Sequence, residues 1–289
     1  MVAIENILIG TIYSASAFVL TCLNLLVFVT VSVNSEFHTN TYRIIKLMII
    51  GCVIQLASHF LGGIMTIAES TLNYYLERIF GALIQSGWFL YQGASLTLTV
   101  DRALIFLTKA GTQKDFYIRF CFVVFSFAIA VLYLVLLLCP GFGFNYVSLH
   151  GWFYADTEGS VDLEMLEQVL DFSILSLILL VYLVVFARLL KMRKTGGTNF
   201  GSLTLEIRIL VISVASFLYE LTFLIFFFWG SQVVQDDIIR AATTTVLWIV
   251  DCGFFALATI VINATMRKKM FKIHKQTQTL TPVTRIDLH

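Results

Sequence analysis

Apolar runs long enough to cross a bilayer recur along this chain at about 7–33, 42–68, 78–106, 118–139, 168–190, 206–230 and 238–264. Nothing else in the sequence constrains the fold as strongly. The hydrocarbon interior offers no hydrogen bonds to a peptide group, so a crossing segment must satisfy its own backbone, which a helix does and an isolated strand cannot. The expected architecture is an all-α membrane protein, a bundle of seven transmembrane helices. Composition agrees: 58% of the 289 residues are hydrophobic and 13% charged, against about 25% charged in a soluble globule, and mean hydropathy is +0.88. The polar stretches between runs are too short to bury a core, so one integral domain, residues 1–266, is expected, followed by a tail at 267–289. The first run follows Glu5 with no basic residue before it and continues to Val33, which reads as a first span and not a cleaved signal.

The distribution of charge orients the bundle. With the N-terminus outside, Arg43, Lys46, Arg102, Lys109, Lys114, Arg119, Arg188, Lys191, Arg193, Lys194, Arg208 and every basic residue after Met266 fall on the inner side. Only Arg78 and Arg240 are left outside, where the loops collect Glu69, Glu77, Asp156, Glu158, Asp162, Glu164, Glu167, Asp236 and Asp237. By the positive-inside rule the C-terminus is cytoplasmic. The tail opens as RKKMFKIHK, basic residues interrupted by Met270, Phe271 and Ile273, the pattern of a short amphipathic helix on an anionic leaflet. Its last part, TQTLTPVTRIDLH, reads as disordered. The sequon beginning at Asn263 faces inward on this topology and is expected to be unmodified. The loop 141–167, with aromatic GFGFNY and GWFY stretches, reads as a lid or interfacial loop.

Polar residues inside the spans mark the candidate site, because each is expensive in lipid and so faces the bundle interior. In the third run Gln85, Trp88, Gln92, Ser95, Thr99 and Arg102 recur at alternating steps of three and four, one continuous helical stripe. Arg102 and Asp101 lie about 37 Å along the helix from Glu77, at its inner exit. His59 in the second run and Glu220 in the sixth fall in the outer half, and Asp251 lies near the middle of the seventh. Candidate ligand contacts are therefore His59, Gln85, Trp88, Gln92 and Glu220. Ser and Thr can instead bond back to their own helix, and buried acids can hold a bundle together by hydrogen bonds. Glu206, opening the sixth span, is a candidate partner of Arg102 should the third and sixth helices be neighbours.

Seven spans, a polar third helix ending in Asp101-Arg102, a basic loop before the sixth span, and Asn263 followed by MRKKMFK together resemble the G protein-coupled receptors. More narrowly, TYRIIKLMIIGCVIQLASHFLGGIMTI and SGWFLYQGASLTLTVDRALIF resemble the nematode chemosensory serpentine receptors of class T and class X. The resemblance implies a plasma-membrane receptor, sensory cilia being one such location, whose partners are an extracellular small molecule and a heterotrimeric G protein. It implies an activation switch at Asp101, Arg102, Glu206 and Asp251, and a G protein-facing surface at Arg102, Arg188, Lys191, Arg193 and Lys194. The chain departs from the rhodopsin-like pattern in several places. Ala103 stands where Tyr is usual, Phe255-Ala256-Leu257-Ala258-Thr259 where Asn-Pro-x-x-Tyr is expected, and no Cys lies between Arg78 and Gln92 or between Gly141 and Glu167 to tie the third helix to the outer loop.

The competing reading is a transporter or proton-coupled protein using His59, Glu220 and Asp251 as a relay. The lack of any internal repeat counts against it. No Lys lies between Ile238 and Met266, so a retinal-linked protein is not expected. The five cysteines show no metal-ligand spacing and no catalytic constellation is evident, so neither a cofactor nor an enzyme is expected. A net charge of +1 gives no reason to invoke nucleic acid.

Overall fold

A computed structural model describes residues 4–107, 113–194, 200–230 and 234–270; side chains at 192–194 and 200–206 lie outside the description. Seven long helices run in sequence: α1 (Ile4–Val33), α2 (Asn40–Ala68), α3 (Tyr74–Leu107), α4 (Gln113–Leu138), α5 (Glu158–Lys194), α6 (Phe200–Phe228) and α7 (Asp237–Ile262). A further helical segment covers 264–270. The side chain of Asn263 caps it by accepting from the Met266 N–H at 3.1 Å, and Lys269 ties it to Glu36 at 2.7 Å.

Six of the seven helices are long and apolar enough to cross a membrane by composition alone; α3 falls short. The reason is its position. From Gly81 to Val100 almost every residue of α3 is buried, and it packs against α2, α4, α5 and α6. A central helix meets protein on all sides, so its polar residues find partners there and its hydropathy falls. The outer helices show the opposite pattern. On α4, Phe116, Phe120, Phe127 and Val131 point outward, about half exposed, as expected of a surface solvated by lipid in a multi-pass membrane protein.

Between α4 and α5 the chain forms an antiparallel hairpin, β1 (Phe144–Val147) with β2 (Gly151–Tyr154), pairing Phe144 with Tyr154 and Tyr146 with Trp152. The two aromatic stretches of the loop are these strands. The hairpin closes the end of the bundle at which α1 begins. Tyr146 meets Thr66 through its hydroxyl and donates its N–H to Glu77 at 2.9 Å; Trp152 Nε1 donates to the Ser58 carbonyl at 3.3 Å; Thr245 donates to the His150 carbonyl at 3.0 Å. Burial pushes the Tyr146 phenol pKa upward, so it remains a neutral partner for Thr66. All five cysteines are free, and these contacts do the anchoring.

The helices exceed the apolar runs at several ends, most of all in α5. The loop expected to extend to Glu167 stops at Thr157, and Glu158–Gln168 is helix. Hydropathy registers the part of a helix that lipid can solvate, and α5 projects beyond it.

Candidate functional site

The polar stripe of α3 occupies the centre of the bundle and links two clusters at its two ends. Near the hairpin, Gln85 Nε2 donates to Glu167 Oε2 at 3.1 Å and Trp88 Nε1 donates to Asp171 Oδ1 at 3.2 Å. Glu167 and Asp171 are one helical turn apart on α5, and both are buried. Tyr154 of the hairpin lies beside Glu167; burial, followed by this neighbouring carboxylate, raises its phenol pKa well above the usual range.

Aromatic rings surround this point. The Trp88 ring lies 6.0 Å from Trp248 and 5.9 Å from Phe223, both edge-on, and Phe227 packs 6.3 Å from Trp248. Trp248 is held from behind, where its Nε1 donates to Gln55 Oε1 at 2.8 Å and the His59 ring meets it edge-on at 5.2 Å. Such contacts fix ring orientation as well as burying area. Trp88, Glu167, Asp171, Phe223, Phe227, Phe228 and Trp248 together line a compartment of about 10 Å³, too small for more than one water. Phe227 and Phe228 also border a vestibule of about 360 Å³ beneath the hairpin, where His150, Phe153, Glu164, Arg240 and Thr244 complete the wall. Two compartments thus share one aromatic partition.

Deeper in, Gln92, Glu220 and Asp251 are each at most 1% exposed and make no hydrogen bond among the described residues, as is true of both His59 ring nitrogens. Glu220 lies within electrostatic reach of Asp251 and of Asp171. Among the residues expected to contact a ligand, Trp88 lines the inner compartment and Gln85 holds its Glu167; His59 supports Trp248, while Gln92 and Glu220 belong to the unpartnered layer below.

At the far end of α3, Asp101 is the hub. Its Oδ2 accepts from Thr41 at 2.7 Å and from Arg102 at 2.6 Å, and its Oδ1 accepts from Arg119 Nε at 2.6 Å. Arg102 also donates to the Thr41 hydroxyl and is fully buried. In this conformation it therefore presents no charge to the surface expected to face a partner, whereas Arg188 and Lys191 are exposed. Between the two clusters Thr99 bonds back to the Ser95 carbonyl at 2.9 Å and also meets the Tyr182 hydroxyl at 3.0 Å. The side chains of Arg193, Lys194 and Glu206 lie outside the described residues.

Sequence reasoning missed Glu167, Asp171, Trp248, Gln55, Thr41 and Arg119 as members of these clusters. For the two acids a signal existed, since their four-residue spacing runs across the start of the fifth apolar run.

No family model matches the chain, and no curated protein matches it. The fold does have a solved counterpart: the crystal structure of squid rhodopsin superimposes with a TM-score of 0.74, covering 95% of this chain and 86% of that one at 11% sequence identity. The seven-helix arrangement described above is a rhodopsin-like fold.

Proposed function

We propose that the protein is a ligand-activated receptor of the G protein-coupled kind, with a chemosensory role. A small extracellular molecule reaches the vestibule beneath the hairpin and enters the aromatic compartment, biasing a two-state bundle toward a conformation in which the far ends of the helices part. That motion releases Arg102 from Asp101 and opens a basic surface to a heterotrimeric G protein in the cytoplasm. The observation that carries this reading is the single helix α3, which bears Gln85 and Trp88 in one cluster and the wholly buried Asp101–Arg102 pair in the other. The charge distribution supports an extracellular N-terminus, and the resemblance to nematode serpentine receptors supports a plasma-membrane location and small-molecule sensing. The candidate switch residues Glu206 and Asp251, and the G protein-facing residues Arg188, Lys191, Arg193 and Lys194, keep those roles within this proposal.

The test is agonist-dependent nucleotide exchange on a G protein, comparing the parent with Arg102→Ala at matched surface expression. Arg102→Ala is expected to reduce exchange at least tenfold while leaving ligand binding within a few-fold. Exchange that survives unchanged removes Arg102 from the mechanism, and substrate flux through vesicles lacking any G protein replaces the receptor reading with a transporter.

A further inference from the structure

The hairpin-side interior of the bundle is rich in acid and poor in base. Glu167, Asp171 and Glu220 are 6%, 0% and 1% exposed, and among the described residues no Lys or Arg pairs with any of them. Glu167 accepts from Gln85 and lies beside the Tyr154 phenol, Asp171 accepts from Trp88, and Asp171 Oδ2 takes no hydrogen bond among the described residues. An interior carboxylate with a spare oxygen, directed at a compartment it lines, is suited to a positive partner.

The remaining walls specify what kind. Trp88, Phe223, Phe227 and Trp248 form an aromatic wall, their rings packed against one another at 5.9–6.3 Å between centroids, and a cation admitted beside that wall would meet ring faces. Ring faces attract a diffuse organic cation, whereas a metal ion needs several hard or soft ligands, and no group of three or more His, Cys, Asp or Glu side chains is gathered among the described residues. The vestibule adds a further acid. Glu164 lines the vestibule, and the one cation beside it, Arg240, is already paired with Asp237 at 2.7 Å.

We infer that the inner compartment takes an organic ammonium ion, its charge against Asp171 and Glu167 and its substituents against the four rings. This rests on the receptor reading for the identity of the compartment as the ligand site. Because the compartment measures only about 10 Å³, an organic ion fits only if Phe227 and Phe228 swing toward the vestibule they already border. Binding is thus coupled to a rearrangement of the hairpin end of α6.

The experiment uses the purified full-length protein in nanodiscs and a matched panel of probes: 2-phenylethylamine, its N-trimethyl form, 2-phenylethanol and 3-phenylpropionate. The two ammonium compounds are expected to raise Tm, and the alcohol and carboxylate are not. Asp171→Asn keeps the acceptor for Trp88 Nε1 while removing the charge, and it should weaken both ammonium compounds at least tenfold. Phe223→Leu, which keeps an apolar wall without a ring face, should weaken the trimethyl form about fivefold; it serves as the second variant should Asp171→Asn fold poorly. Stabilisation by the alcohol as strong as by the amines, no stabilisation by either ammonium compound, or amine binding unchanged in both variants overturns the proposal. The two readings fail separately. Amine binding without any effect on G-protein exchange defeats the receptor and leaves the ammonium site, whereas exchange driven only by the alcohol or the carboxylate does the reverse.

Discussion

Asp101 serves two guanidinium groups and a hydroxyl with one buried carboxylate, so its charge holds together α2, α3 and α4 at one end of the bundle. Removing one partner of a buried ion pair leaves the other uncompensated, at a cost on the order of 3 kcal/mol. Asp101→Asn keeps the shape and one acceptor oxygen but removes the charge that Arg102 and Arg119 both meet. The expected result is a lower Tm for the purified protein and, on the proposed receptor reading, severalfold higher ligand-independent nucleotide exchange, since that reading makes this arrangement the resting one. Basal exchange that stays at the parental level while Tm drops would make the cluster structural only. The adjacency of Asp101 and Arg102 and their depth at a helix exit were legible in the sequence. Their partners Thr41 and Arg119 were not, because each stands at the start of a different helix and only packing brings it to the carboxylate.

At the scale of elements, α3 and the hairpin illustrate what periodicity does and does not reveal. The stripe from Gln85 to Arg102 was readable because a buried helix face repeats at the helical period. The hairpin was not, since its strands have four residues each and an alternation that short carries little signal. Besides the Tyr146–Glu77 hydrogen bond, its seat on α3 needs a close backbone approach at one residue. A Cβ added at Gly81 would lie 1.8 Å from the Phe144 carbonyl oxygen, a backbone atom that can yield only if the strand lifts. Gly81→Ala is therefore expected to cost about 1–3 kcal/mol and to expose the 144–154 segment, read as a lower Tm and faster proteolytic cleavage within the hairpin of the nanodisc-held protein. Parental Tm and parental protease resistance together would show that the hairpin does not sit on α3. The fifth helix teaches a related point, for its first turns carry Glu158, Glu164 and Glu167 and so read as an acidic loop. In that segment Glu167 meets Gln85 of α3, a contact that no local pattern announces.

For the molecule as a whole, the bundle was legible because lipid imposes a crossing length on every span, and the one helix that composition undervalued is the one the others surround. Orientation is a separate matter, since a rhodopsin-like fold at 11% identity fixes the arrangement of helices and not the side of the membrane on which each end lies. The argument for orientation comes from charge. The hairpin end carries Glu69, Glu77, Glu158, Asp236 and Asp237 against Arg78 and Arg240, while the other end carries Arg43, Lys46, Lys114, Arg119, Arg188 and Lys191. Each basic residue near a span resists translocation, so the basic end stays cytoplasmic during insertion. An epitope tag before Met1 should therefore be stained on intact cells, and one after His289 only after permeabilisation. Weakening the bias tests the cause as well as the outcome: replacing Arg43, Lys46, Lys114 and Arg119 by Gln should raise the fraction of molecules whose C-terminal tag is stained on intact cells above that of the parent. An N-terminal tag that stays hidden until permeabilisation would place the hairpin and its vestibule in the cytoplasm, and neither an extracellular ligand nor a G protein would then meet the cluster proposed for it.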